Sequence, residues 1–530
     1  MQEGTRYSLL VSLTVALGGF LMGFDASVIS GVVGFIESEF RLSEIQLGWA
    51  VASLTLTATL AMMTCGPLAD RYGRRRVLRI AALLFAVSAV ASALAPNFAS
   101  LVLARMLGGL GVGVALIVAP MYIAEISPAE RRGRLVALNQ LNIVIGISAA
   151  FFSNYLILNL GRTDAAWVET LGLQAFNWRW MLGVEALPAL VYFVGLLFVP
   201  ESPRWLKMQG RSAEALTVMR RVCGAGRARQ ILAEVDVAAE PAASGAGGRN
   251  RLRELFGASL RRVLVIGVVV AVLQQITGIN AVFFYAPVIF EQSGIGTDAA
   301  FMQAVFVGLV NLAFTLVALA LIDRLGRRPL LAVGTAGVAV CMLLLAWAFG
   351  SATYTLTEAS VAVLPDDIDR TALMPLAGTR FDSDVAFKAA VTDAIGAKAV
   401  ADNQSVLIAA AIRANSGLIL AGILGFVASF AVSLGPVMWV LFSELFPNRI
   451  RGLAISFVGL INSAVSFLVQ LLFPWELGTI GSSGTFLLYG LFAIAGLVLI
   501  LRLVPETRGR TLEELESLLV GSRPGAASAR

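Results

Sequence analysis

DRYGRRRVL at residues 70–78 and DRLGRRPLL at 323–331 are two copies of one loop, an aspartate and an arginine run set around a single glycine. Each follows a long apolar stretch and leads into another. Two further pairs keep the same order along the chain: EISPAERRGR (125–134) with ELFPNRIRG (444–452), and PESPRWL (200–206) with PETRGR (505–510). One arginine-rich loop could resemble another by chance, but three ordered pairs imply a duplicated unit. The spacing also locates an insertion. Asp70 and Glu125 stand 55 residues apart, Asp323 and Glu444 stand 121 apart, and the excess nearly equals the length of the stretch 351–415. That stretch, with acids including Asp366, Asp367 and Asp369, is an addition to the second copy.

The composition says where the duplicated unit resides. Of 530 residues 58% are hydrophobic and only 14% charged, too few to cover a soluble protein of this size. The surplus apolar surface must face lipid, where backbone groups have to be satisfied inside helices or a closed barrel. The apolar runs are continuous rather than alternating, which selects helices of about 20 residues. Twelve such spans are expected, at 8–30, 46–67, 77–95, 99–123, 135–157, 179–199, 262–286, 301–322, 330–350, 416–442, 453–474 and 484–503. The first run, 9–29, is too long for a cleavable leader and reads as a span.

Arginines set the orientation, because cytoplasmic loops collect cations. Arg71, Arg74, Arg75 and Arg76, then Arg131, Arg132 and Arg134, the stretch from Arg204 to Arg262, Arg324, Arg327 and Arg328, and Arg449 and Arg451 all fall on one side. Both termini are therefore expected in the cytoplasm, and 351–415 outside. The net charge of +6 is explained by this asymmetry and does not indicate nucleic acid. The chain has no histidine, which excludes histidine catalysis, ligation or proton relay. Its three cysteines, Cys65, Cys223 and Cys341, are scattered and read as small packing residues. Only three lysines occur beside many arginines, a composition that points to a GC-rich bacterial source.

Charges inside hydrocarbon cost at least ~2.5–3.5 kcal/mol on insertion scales and so need a partner or a task. Asp25 in the first span and Arg105 in the fourth lie at matching depths, about 8–9 Å from the same surface. A static ion pair and a protonation switch both fit that placement. Amides gather elsewhere: Gln140 in span five, Gln274, Gln275 and Asn280 around Gly278 in span seven, Asn311 in span eight and Asn462 in span eleven. Tyr285 follows in span seven, and Trp439 follows Gly435-Pro436 in span ten. Any one of these amides could equally serve interhelical packing.

Several long strings carry a resemblance: GFDASVISG (23–31), GPLADRYGRRR (66–76), RMLGGLGVG (105–113), PMYIAEISPAERRG (120–133), PESPRWL, QQITGINAVFFYAP (274–287), GPVMWVLFSELFPNRIRG (435–452) and PETRGRT (505–511). In content and order they resemble the sugar porter family of the major facilitator superfamily, over roughly 8–517. The resemblance implies an all-α membrane protein, twelve transmembrane helices in two six-helix bundles, working by alternating access. The expected divisions are an N-terminal bundle (1–199), a cytoplasmic helical linker (200–261) with a flexible centre at 241–248, a C-terminal bundle (262–517) and a tail (518–530).

The resemblance also implies roles. Asp25 and Arg105 would couple protons, since an aspartate at that position accompanies symport and facilitators carry asparagine. Gln140, Gln274, Gln275, Asn280, Tyr285, Trp439 and Asn462, with Asn311 beside them, match sugar-contact positions, amides reading hydroxyls next to an aromatic face. Asp70, Arg74, Glu125, Arg132, Glu201, Arg204, Asp323, Arg327, Glu444 and Arg451 would form charge latches pairing across the two halves. No catalytic residue, metal or cofactor is implied, so the chain is not expected to be an enzyme. The expected partners are a small sugar, a proton and the bilayer of a bacterial inner membrane, with the protein monomeric. The stretch NSAVSF after Asn462, Met22 where relatives carry an aromatic, and the 351–415 insertion depart from the pattern. A proton-independent facilitator, a polyol or inositol carrier and a sugar-sensing receptor remain as alternatives, the last opposed by the short tail.

Overall fold

The computed structural model describes residues 2–128, 131–224, 227–229, 254–257, 260–365, 368–447, 450–508 and 514. The linker centre at 241–248, Asp366, Asp367, Arg449 and the tail at 518–530 lie outside them, as does the side chain of Arg132.

Twelve helices are long and apolar enough to cross a membrane: Arg6–Gly31, Glu44–Tyr72, Arg74–Ala93, Phe98–Ile126, Gly133–Leu160, Asn177–Phe198, Arg261–Glu291, Thr297–Leu325, Arg327–Gly350, Ser416–Leu445, Arg451–Thr479 and Gly481–Leu503. Each coincides with one of the apolar runs read from the sequence; spans three and six end one or two residues short of theirs, and most others extend past the run at one or both ends. Several begin at local signals. Ser43 with Gln46 and Asn97 with Ser100 form capping boxes that start spans two and four.

Two spans are broken. Span seven divides at Thr277–Gly278 into Arg261–Ile276 and Ile279–Glu291, because Gly278 takes φ +86, a conformation other residues rarely adopt. Span ten divides at Ser433 into Ser416–Val432 and Leu434–Leu445.

The chain forms two compact units, Met1–Gly245 and Ala246–Arg530. In the first, helices cross closely where glycines replace side chains. A Cβ on Gly109 or Gly113 of span four would strike the carbonyls of Leu54 or Ala58 in span two. A Cβ on Gly23 of span one would likewise strike the Ile143 carbonyl in span five. Such small-residue contacts substitute for the hydrophobic driving force that lipid does not supply. The segment after span six belongs to this unit in part. Helices Pro203–Met208 and Ser212–Cys223 pack through Trp205, Leu206, Ala215 and Met219, and the Trp205 indole donates to the Asp70 carbonyl at 2.7 Å.

In the second unit, residues 351–415 fold as a small domain between spans nine and ten. Strand Thr353–Thr355 pairs antiparallel with both Arg380–Phe381 and Ile412–Arg413. Tyr354, Phe387, Leu373 and Leu407 lead its own buried core, with Tyr354 stacked on Phe387. Burial pushes the Tyr354 hydroxyl well above its ordinary pKa, and the nearby Asp384 carboxylate adds to the shift.

Candidate functional site

The duplicated loops build the same charge cluster twice. In the first unit Arg74 donates from Nε and Nη2 to the two oxygens of Glu125, at 3.0 and 2.9 Å. It also meets Asp70 at 2.9 Å and donates to the Ala69 carbonyl. In the second unit Arg327 meets Glu444 at 2.8 Å and Asp323 at 3.2 Å, and donates to the Ile322 carbonyl. Each following helix starts at a glycine with positive φ, Gly73 or Gly326, and has no capping side chain of its own. A distant glutamate supplies the cap. Glu201 accepts the Arg75 backbone N–H, while Glu506 accepts those of Arg327 and Arg328. A hydroxyl completes each copy, Ser202 donating to Glu125 and Thr507 to Glu444.

Within each unit the arginines and acids are matched with one another. Arg204 is exposed, and Arg451 donates to the Phe446 carbonyl rather than to an acid. Glu506, Ser202 and Thr507 escaped the reading although PESPRWL and PETRGR already paired them. In the sequence that match marks the repeat; only the fold shows that its glutamates cap a helix.

Asp25 and Arg105 do meet, Nη1 to Oδ1 at 3.4 Å, each 2% exposed. Gly108 allows it, since a Cβ there would stand 2.7 Å from Asp25 Oδ2. A third ionisable residue neighbours this pair. Glu185, 3% exposed in span six, interacts electrostatically with both. Asp25 Oδ2, Arg105 Nε and Glu185 Oε1 have no hydrogen-bond partner among the described residues. With both carboxyls ionised, the three side chains sum to one net negative charge. A single proton neutralises it. Glu185 was legible only as an acid inside an apolar run, the same signal that exposed Asp25.

The break in span seven organises the amides. Gln274 donates to the Leu434 carbonyl beside the break in span ten, at 3.0 Å. Asn462 donates to Gln274 at 2.8 Å and to the Ala271 carbonyl at 2.9 Å. Gln275 donates to Asn462 at 3.1 Å, and Asn280 to Gln275 at 2.8 Å. The network runs on through two residues the sequence reading passed over. Ser466 accepts from Asn280 at 2.6 Å and from Gln470 at 2.8 Å, and Tyr285 donates to the Gln470 carbonyl at 3.1 Å. Spans seven, ten and eleven thereby present clustered amides with carbonyl acceptors and N–H donors, the groups that read hydroxyls.

Not every candidate joins this network. Asn311 is buried in span eight with no hydrogen bond to it among the described residues. Trp439 is 42% exposed and packs edge-on against Phe442. Gln140 is half-buried on span five of the first unit.

A duplicated set of twelve membrane-spanning helices, with a buried acid–arginine cluster in one unit and an amide network at a broken helix in the other, defines a membrane transporter. The chain belongs to the sugar porter family of the major facilitator superfamily. The family described as sugar (and other) transporter matches residues 11–364 and 388–519. Among curated relatives, the arabinose-proton symporter of Bacillus subtilis is 32% identical, covering 97% of this chain and 95% of that protein. The D-xylose-proton symporter of Escherichia coli is 34% identical, covering 98% and 96%. Among solved structures, the partially occluded inward open conformation of the xylose transporter XylE from E. coli matches with a TM-score of 0.72 at 30% identity, covering 96% of this chain and 100% of that one. The proton:xylose symporter XylE bound to 6-bromo-6-deoxy-D-glucose matches with a TM-score of 0.68 at 33% identity, covering 97% and 99%. The family and these relatives are transporters, not enzymes, and the chain is a multi-pass membrane protein.

Proposed function

We propose that the chain is a proton-coupled monosaccharide symporter that takes up a pentose or hexose by alternating access across a bacterial inner membrane, with both termini in the cytoplasm. The observation that carries the coupling is the buried cluster of Asp25, Glu185 and Arg105. Two buried carboxyls and one arginine form a device whose net charge changes between −1 and 0 with one proton. A buried net charge is costly, so the loaded and unloaded states favour different surroundings. Protonation takes a carboxylate away from Arg105 and shifts the balance between conformations; loss of the proton restores the pair. The names of the arabinose and xylose symporters support the same reading.

Gln274, Gln275, Asn280 and Asn462 bind sugar hydroxyls, with Gln140, Tyr285 and Trp439 as further contacts and Asn311 at the margin. The two charge clusters, Asp70–Arg74–Glu125 with Glu201 and Asp323–Arg327–Glu444 with Glu506, hold the span ends they join. They form and break with the transport cycle. The partners are the sugar, the proton and the bilayer, and the protein acts as a monomer.

The test is uptake of labelled pentoses and hexoses into proteoliposomes with an imposed inward proton gradient, comparing the native chain with Asp25→Asn. The variant should still exchange sugar across the membrane but lose accumulation against a gradient. Equal accumulation by native and variant would remove Asp25 from the coupling.

A further inference from the structure

Helix Gly481–Leu503 starts at a glycine with φ +73 and has no capping side chain of its own. Its cap comes from the inserted domain. Asp384 Oδ2 accepts the Ser482 backbone N–H at 3.2 Å, and a Cβ on Gly481 would stand 2.5 Å from Asp384 Oδ1. Asp384 is itself 7% exposed, and Lys388 lies 3.9 Å away. The Ser482 hydroxyl donates to Gln292 Oε1 at 2.5 Å, with Asp384 Oδ2 sharing that proton at 3.3 Å. Gln292 is the buried residue that ends the half-helix Ile279–Glu291. Two residues on, a Cβ on Gly294 would strike Ile412 of the inserted sheet. The far end of the half-helix is therefore held between span twelve and the inserted domain.

Its near end is a joint. The half-helix leaves Gly278 at φ +86, carries Asn280 in its first turn, and has non-helical backbone again at Tyr285. A rod jointed at one end is positioned by whatever grips the other, and here the grip has a rigid base in the domain's own core and three-stranded sheet. We propose that the inserted segment 351–415 is a clamp on this half-helix, with Asp384 as its positioning residue. It fixes Gln292 to the start of span twelve, and so sets how readily the half-helix moves about Gly278 and how firmly Asn280 is presented to substrate. Asp384 falls in 365–387, an internal stretch that the family match leaves out.

The inference rests on the reading of Asn280 as a sugar contact, and the test separates the two. Hydrogen exchange is followed on the full chain in lipid nanodiscs, beside the kinetics of sugar uptake. Asp384→Ala and Gln292→Ala should each speed exchange of amides in 279–293 by about tenfold, because the lost contacts let that segment open locally. Asp384→Asn keeps an oxygen facing the Ser482 N–H and should stay close to native. Uptake by the two alanine variants should show a raised KM with the maximal rate retained. Unchanged exchange over 279–293 in both alanine variants overturns the clamp. Should Asp384→Ala instead unfold residues 358–411, Gln292→Ala decides alone, since it lies outside the inserted domain. Faster exchange with an unchanged KM keeps the clamp and overturns the role of Asn280.

Discussion

Arg105 pairs with Asp25 in the buried cluster, and Glu185 lies within its electrostatic reach, so its removal has a signed consequence. Arg105→Ala leaves two carboxyls without their counter-charge, a change that costs about 3–5 kcal/mol for a buried pair. Thermal unfolding in detergent should show that loss, and adding Asp25→Asn should recover part of it. No recovery in the double variant would mean that packing, not charge, holds the residues together. Asp25 and Arg105 were legible in the sequence because hydrocarbon makes any charge conspicuous. Glu185 carries the same signal inside span six, and the sequence reading passes over it. The amides divide along a similar line. Gln274, Gln275, Asn280 and Asn462 were recognisable as a set, whereas Ser466 and Gln470 are ordinary residues of a membrane helix until the fold brings them to Asn280. Nor does the order of residues reveal that Asn311 and Trp439 stand apart from that network.

At the scale of helices, the paired loops make a matched prediction. Glu201→Ala uncovers the Arg75 backbone N–H and Glu506→Ala those of Arg327 and Arg328, and each should lower stability by about 1–3 kcal/mol. Comparable falls in thermal unfolding temperature are expected, and a large effect from one with none from the other would contradict the equivalence of the two clusters. The joint in span seven gives a second prediction. Gly278→Ala meets a left-handed φ that costs about 1–2 kcal/mol for a residue with a side chain. Its Cβ would also stand 2.5 Å from the Tyr489 ring. Sugar uptake should fall sharply at normal expression, and native uptake by the variant would show that the joint needs no glycine. The duplication itself could be read from three loop pairs, since span ends are marked by charge and glycine. That the clusters close within each unit could not, because loop sequences do not say which helix ends become neighbours.

For the whole molecule, the arginine asymmetry predicts topology as well as function. A reporter active only outside the cytoplasm should be active when fused within 351–415 and silent when fused after residue 530; the reverse pattern would invert the assigned orientation. Twelve spans and two related halves were available from hydropathy and repeat spacing, and the structure places a helix at every expected span. The inserted domain was legible only as a length difference, because its sheet and core depend on pairings between residues far apart in the chain. Proton-coupled sugar uptake is the account's central claim. Its most direct measurement is the sugar concentration reached inside proteoliposomes carrying the native chain under an inward proton gradient. The account predicts accumulation above the external level, greater at lower external pH and abolished by a protonophore. Sugar that only equilibrates, at a level indifferent to the gradient, would contradict it.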